Sequence, residues 1–174
     1  MSGTEALSGS EWEGPVARTL PARSLVLLVA LLVLLDQAAK AWVQQNVPLR
    51  AQLPLVGDFL WLSHYANYGA LGGVGGGLPW VVPALVGAGV LLIVLLLVGY
   101  RLYSARFGAS WRGQLFLALA VAALLCTLLD RVRLGYVVDF LHVRGFPVFN
   151  IGDLLPQLGI VFLALEFVAV VKRR

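Results

Sequence analysis

Charge is what this chain has least of. Charged residues make up 13% of its 174 residues, about half the share in an ordinary soluble domain. A soluble enzyme is excluded on that ground, and so is intrinsic disorder, because 60% of the residues are hydrophobic. The single cysteine, Cys126, excludes an internal disulfide framework and a cysteine-based metal site. The two histidines, His64 and His142, lie far apart and form no His-Glu-x-x-His, which argues against a zinc protease. The net charge of +4 comes without a basic stripe and interleaved aromatics, so nucleic acid is not an expected partner. No metal or cofactor is expected.

The apolar residues come in long runs. Four spans are predicted, at about 24–43, 80–100, 113–129 and 154–171, each near the ~20 residues that cross the hydrocarbon of a bilayer. The first run follows Arg23 and resembles a secretory signal, but it continues through Ala41, Trp42 and Val43 to spanning length and is read as a retained helix. Residues 1–23 read as a polar cytoplasmic tail, and 24–174 as one four-helix domain. With both termini cytoplasmic, the inner side holds eight of the 13 cationic residues, while five outer cations are balanced by five aspartates. The positive-inside rule therefore selects that orientation. In the outer loop, Gln52–Leu55 and Asp58–Leu62 read as two short strands, with Phe59 and Trp61 on one face, followed by a glycine-rich stretch, 69–77. The expected class is an all-α membrane protein: four transmembrane helices, a small extracytoplasmic sheet at about 48–79, and a short outer-face segment between helices 3 and 4.

The few acids are placed unevenly. All five aspartates fall in the outer half or outer loops, and a carboxylate at the centre of a span costs about 2.5–3.5 kcal/mol. Asp36 precedes Lys40 by one helical turn, in the favourable acid-before-base order. Asp130 ends the third span beside Arg131. Asp139 sits in the apolar stretch Tyr136–Phe140, and Asp153 opens the fourth span, where a helix N-terminus favours negative charge. If the connection His142–Pro147 folds back, Asp139 and Asp153 meet at the outer surface. Two carboxyls in a partly desolvated site share a proton, and one acid with one base is what amide hydrolysis requires. Asn150 is placed to bond the pair or a peptide carbonyl. The plainer reading makes Asp153 a helix cap and Asp139 a turn residue paired with Arg144. Glu166, inside the fourth span, reads as a group bonded towards the inner interface. Ser63-His64 is expected to point to opposite faces of a strand, which prevents a nucleophile–base contact.

Four short motifs occur in order: Asp36-Gln37-Ala38-Ala39-Lys40, Asn67-Tyr68-Gly69-Ala70, Asp130-Arg131 with Gly135-Tyr136-Val137-Val138-Asp139-Phe140, and Phe149-Asn150-Ile151-Gly152-Asp153. Over about Leu25–Val171 the chain resembles the lipoprotein signal peptidase, or signal peptidase II, family through its D-Q-x-x-K, N-x-G-A, D-R-x-x-x-G-x-V-x-D-F and F-N-x-A-D motifs. The resemblance implies a four-helix intramembrane aspartic peptidase of the bacterial plasma membrane with its active site at the outer face. It implies a diacylglyceryl-modified prolipoprotein as substrate, cut before the modified cysteine, with membrane lipid as surroundings and a monomer as the working unit. Asp139 and Asp153 are then the catalytic pair. Asn67, Gly69, Arg131, Asn150 and Thr127 support site or substrate, and Asp36, Lys40 and Asp130 form a structural polar network. The chain departs from the family at Cys126 and Thr127, where Gly-Asn is usual, and at Leu154, where a small residue is common. These departures leave open an alternative: a non-catalytic relative that binds lipidated peptides or stabilises a membrane complex. A proton pathway ranks last, since all acids but Glu166 cluster on one side.

Overall fold

The structure, a computed structural model, describes residues 18–69, 77–78 and 80–172. Most of the expected N-terminal tail and residues 70–76 of the glycine-rich stretch lie outside the described residues. Among the described residues four helices are long and apolar enough to cross a membrane: α1 (Ala22–Asn46), α2 (Val81–Phe107), α3 (Trp111–Leu134) and α4 (Ile151–Val171). Each runs past its expected span at one end or both. Hydropathy reports the hydrocarbon layer, whereas the helices continue through polar residues at the interface. Asp130, for example, does not end α3. The helix closes one turn later at Gly135, whose φ of 78° suits glycine and whose N–H donates to the Arg131 carbonyl.

The third helix is the centre of the bundle and packs against each of the others. Small residues on it allow close approach, as is usual between helices in lipid. Leu119, Ala122, Ala123 and Cys126 form a buried cluster with Leu155 of α4, and Val29, Leu32 and Val33 of α1 pack onto it. In contrast, α2 rests mainly on α3 and has a single buried residue, Val81. Its exposed leucines and valines lose nothing by facing lipid tails, which are as apolar as they are.

Three strands, β1 (Gln52–Val56), β2 (Leu60–Asn67) and β3 (Val137–Val143), form one antiparallel sheet in the order β1-β2-β3. The hairpin turns at Gly57, with φ of 46°. Phe59 lies in that turn and not, as expected, on a strand with Trp61. The segment around Asp139, expected as a short outer-face segment between helices 3 and 4, is the third strand. Its partner β2 lies far back in the sequence, so local pattern did not reveal the pairing. A bulge falls between Leu62 and Tyr65, and there Ser63 and His64 are both buried, against the expected alternation. They form no Ser–His hydrogen bond: Ser63 Oγ and His64 Nε2 have no partner among the described residues, and His64 Nδ1 meets the Val47 carbonyl at 2.8 Å. That contact, with the cluster of Val43, Val47 and Phe140, fixes the sheet to the end of α1.

Candidate active site

Register builds the site. Tyr65 pairs with Asp139 and Asn67 with Val137, so Asn67 is a same-face diagonal neighbour of Asp139. Its Nδ2 donates to Asp139 Oδ2 at 3.0 Å. The other oxygen, Oδ1, accepts from Asn150 Nδ2 at 2.7 Å. Asn150 is the N-cap of α4. Its side chain accepts from the Asp153 N–H at 3.2 Å, and its own N–H donates to Asp153 Oδ2 at 2.9 Å. This reciprocal pair is a capping box, with Asp153 in the position usually held by Glu or Gln. One asparagine therefore touches both carboxyl groups. Asp139 bonds Asn67 and Asn150; it forms no ion pair with Arg144 among the described residues.

Beneath the pair lies a charged cluster. Lys40 Nζ stands 2.7 Å from Asp36 Oδ2 and 2.8 Å from Asp130 Oδ2, all three side chains at most 2% exposed. Each carboxylate also takes a backbone N–H. Asp130 Oδ2 accepts the Val138 N–H at 3.1 Å, and Asp36 Oδ1 accepts the Gly152 N–H at 3.0 Å. Val138 and Gly152 are the residues immediately before Asp139 and Asp153. The cluster thus anchors the strand carrying one aspartate and the helical turn carrying the other. Gln37, to which no role was assigned from sequence, is part of it: its amide donates to Asp130 Oδ1 at 2.8 Å and to the Cys126 carbonyl at 3.3 Å, and it accepts from Arg133 at 2.9 Å. Its place in the Asp36–Lys40 motif was the signal that marked it.

The two aspartates open into one cavity of about 1070 Å³. Asn67, Thr127 and Arg131 line it as well, with Leu85, Gly89 and Leu92 of α2 on one side and Leu154, Pro156 and Gln157 of α4 on the other. Arg131 Nη2 donates to the Gly69 carbonyl at 2.6 Å, and Gly69 N–H donates to Asn67 Oδ1 at 3.1 Å. Arg131 Nη1 is buried without a partner among the described residues. Burial pushes the Asp139 carboxyl up to about 6; the amides of Asn150 and Asn67 pull against that rise, and the Asp153 charge adds to it. Every residue assigned to the site or its network from sequence is thus placed in one connected region. Thr127 is there only as a lining residue.

Two departures from the family motifs prove to be in contact. A Cβ on Gly152 would stand 2.9 Å from Cys126 Cβ and 2.9 Å from Asn150 Oδ1. The side chain that the motif places on α4, as Ala, is here placed on α3, as Cys126, and Gly152 makes room for it.

The family model for "Signal peptidase (SPase) II" matches residues 28–169. A lipoprotein signal peptidase of Moorella thermoacetica is 38% identical over 138 residues, covering 79% of this chain and 88% of the relative. One from Pelotomaculum thermopropionicum is 36% identical over 140 residues, covering 80% and 88%. A solved bacterial membrane enzyme superimposes with a TM-score of 0.76 at 20% identity, covering 92% of this chain and 96% of the other. With the matched family model spanning all four helices and the sheet, the chain belongs to the signal peptidase II family and is a multi-pass bacterial membrane peptidase.

Proposed function

We propose that the chain removes signal peptides from bacterial prolipoproteins as an aspartic endopeptidase, cutting before the diacylglyceryl-modified cysteine. The observation that carries this reading is the contact of Asn150 with both carboxyl groups, which holds Asp139 and Asp153 at the wall of one cavity. One ionised carboxylate draws a proton from water as that water attacks the scissile carbonyl. The other, protonated, gives its proton to the leaving nitrogen. The pair titrates as a unit and exchanges roles through the cycle. Asn67 and Asn150 keep the carboxyls oriented, and the free Nη1 of Arg131 is available to a substrate carbonyl. The site faces the extracytoplasmic side, both termini are cytoplasmic, and the protein acts as a monomer in the plasma membrane. The substrate enters sideways from lipid between α2 and α4, its acyl chains remaining in the bilayer. The capping box and the two buried ion pairs of Lys40 support an assembled enzyme over a non-catalytic relative.

The test is cleavage in detergent or liposomes by the purified protein. A diacylglyceryl-modified prolipoprotein should be cut on the N-terminal side of the modified cysteine, and the unmodified precursor should not. Failure to cut the modified substrate at any pH between 4 and 8 (a window of about two pH units either side of a carboxyl near 6) would refute the proposal.

A further inference from the structure

Glu166 has no place in the chemistry above. It lines a second cavity of about 510 Å³ between α2 and α4, towards the opposite end of both helices, with Leu96, Gly99, Tyr103, Phe116 and Val170 on the walls. That volume lies within the roughly 300–1,000 Å³ typical of ligand pockets. The side chain is 4% exposed. Oε1 accepts a hydrogen bond from the Tyr103 hydroxyl at 2.8 Å, while Oε2 is buried with no partner among the described residues. Arg106 lies over the Phe107 ring at 5.9 Å and Arg112 over the Trp111 ring at 4.9 Å. Among the described residues no cation pairs with Glu166. The two cavities have the same walls, α2 and α4, and the same floor, α3.

We propose that the inner cavity is the subsite for the positively charged n-region of the signal peptide, with Glu166 as its counter-charge. This rests on the reading that a signal peptide is cut beside Asp139 and Asp153. Signal peptides carry Lys or Arg ahead of an apolar h-region of about 7–15 residues. Glu166 is 13 residues beyond Asp153 on α4, or about 20 Å at ~1.5 Å per residue. An h-region helix of the same length, lying along the cleft, puts its preceding Lys or Arg at Glu166. The long side chain extends its apolar stem along the cavity wall and brings N–H donors to the unpartnered Oε2. A lipid with an amine head offers similar donors, but nothing ties a lipid head to the outer cavity, whereas the signal peptide joins both ends of the cleft at the observed spacing.

The experiment pairs wild-type protein and Glu166→Gln with two diacylglyceryl-modified substrates, one with a lysine-bearing n-region and one with those lysines changed to glutamine. Wild type should favour the cationic substrate in kcat/KM by about five- to tenfold, and Glu166→Gln should bring that ratio close to one. Glu166→Lys should invert it when the lysines are changed to glutamate. Equal use of both substrates by wild type overturns the proposal, and needs no variant to fold. An effect of Glu166→Gln that is the same for both substrates but follows the amine-lipid content of the liposome overturns it in favour of a lipid head. If wild type cuts neither substrate, the peptidase reading falls and takes this one with it; if it cuts both equally, only the subsite falls.

Discussion

The outer and inner ends of the α2/α4 cleft are built on opposite principles. At the outer end every carboxyl has a partner: Asp139 takes two asparagine amides, Asp153 a backbone N–H, and Asp36 and Asp130 share Lys40 and brace the backbone on either side. At the inner end one carboxyl has, among the described residues, one partner and one idle oxygen. A constellation that performs chemistry gains from being fixed before substrate arrives. A carboxyl left short of a partner in a cavity is completed by what binds there. The first should be damaged by any loss within it, and the second should show itself only through substrate preference.

The largest break between the two ends is expected from Asp139→Asn or Asp153→Asn. Either should lower the cleavage rate by at least about 10²–10⁴-fold, the scale of general acid–base catalysis, with the protein still folded and inserted. Single-turnover cleavage of a diacylglyceryl-modified substrate measures it. A loss of tenfold or less would make the outer pair no more demanding than Glu166 and would remove the chemistry assigned to it.

Next in size is Lys40→Met. It leaves Asp36 and Asp130 facing each other in a buried site without a cation, a change that costs about 3–5 kcal/mol where one partner of a buried pair is removed. Because those carboxylates hold the N–H groups of Val138 and Gly152, activity should fall together with thermal stability. Thermal unfolding in detergent beside the cleavage assay separates the outcomes. Stability lost with full activity in the folded fraction would mean that the cluster does not set the aspartate positions.

How much of this was legible from residues alone depends on the range of each contact. The Asp36–Lys40 pair was legible because its members stand one helical turn apart, and four spans were legible because the hydrocarbon thickness fixes run length. The second partner of Lys40, the strand character of Val137–Val143 and the bulge at Ser63–His64 were not. Each depends on segments that meet only in the folded chain, and a short apolar stretch between spans reads the same whether or not a strand lies beside it. Asn150 was expected to bond the aspartates or a peptide carbonyl. That its amide bonds Asp139 while its backbone bonds Asp153 follows from the capping box, which sequence hides because Asp, and not Glu, holds the third helical position.

Cys126 and Gly152 give a sharper view of how tightly the outer end is set. Gly152→Ala places a methyl group 2.9 Å from Cys126 Cβ, and overpacking of this kind costs about 1–3 kcal/mol. Adding Cys126→Gly restores the arrangement of the family motifs and should recover the part of that loss due to Cys126, the methyl group still standing 2.9 Å from Asn150 Oδ1. The double-mutant cycle, by thermal stability and by kcat, reads the coupling directly. Additive effects would show that the two departures are independent and that the outer end tolerates more slack than its hydrogen bonds suggest.

The smallest effect tests the electrostatics of the pair. Asp139 holds its proton up to about pH 6 because burial disfavours the anion, while the Asn67 amide favours it. If this proton is the one delivered to the leaving nitrogen, kcat/KM declines as pH rises through that value, and the acid limb marks protonation of the partner carboxylate. Asn67→Ala removes a donor to the anion, so the proton is held more tightly and the alkaline limb moves upward, by about one pH unit for a hydrogen bond of roughly 1–1.5 kcal/mol. The sign separates two roles for Asn67. An upward displacement makes it a group that tunes Asp139 through the bond seen at 3.0 Å. A fall in rate with both limbs unmoved makes it a contact to substrate alone, and the poise of the outer pair then comes from burial and Asn150.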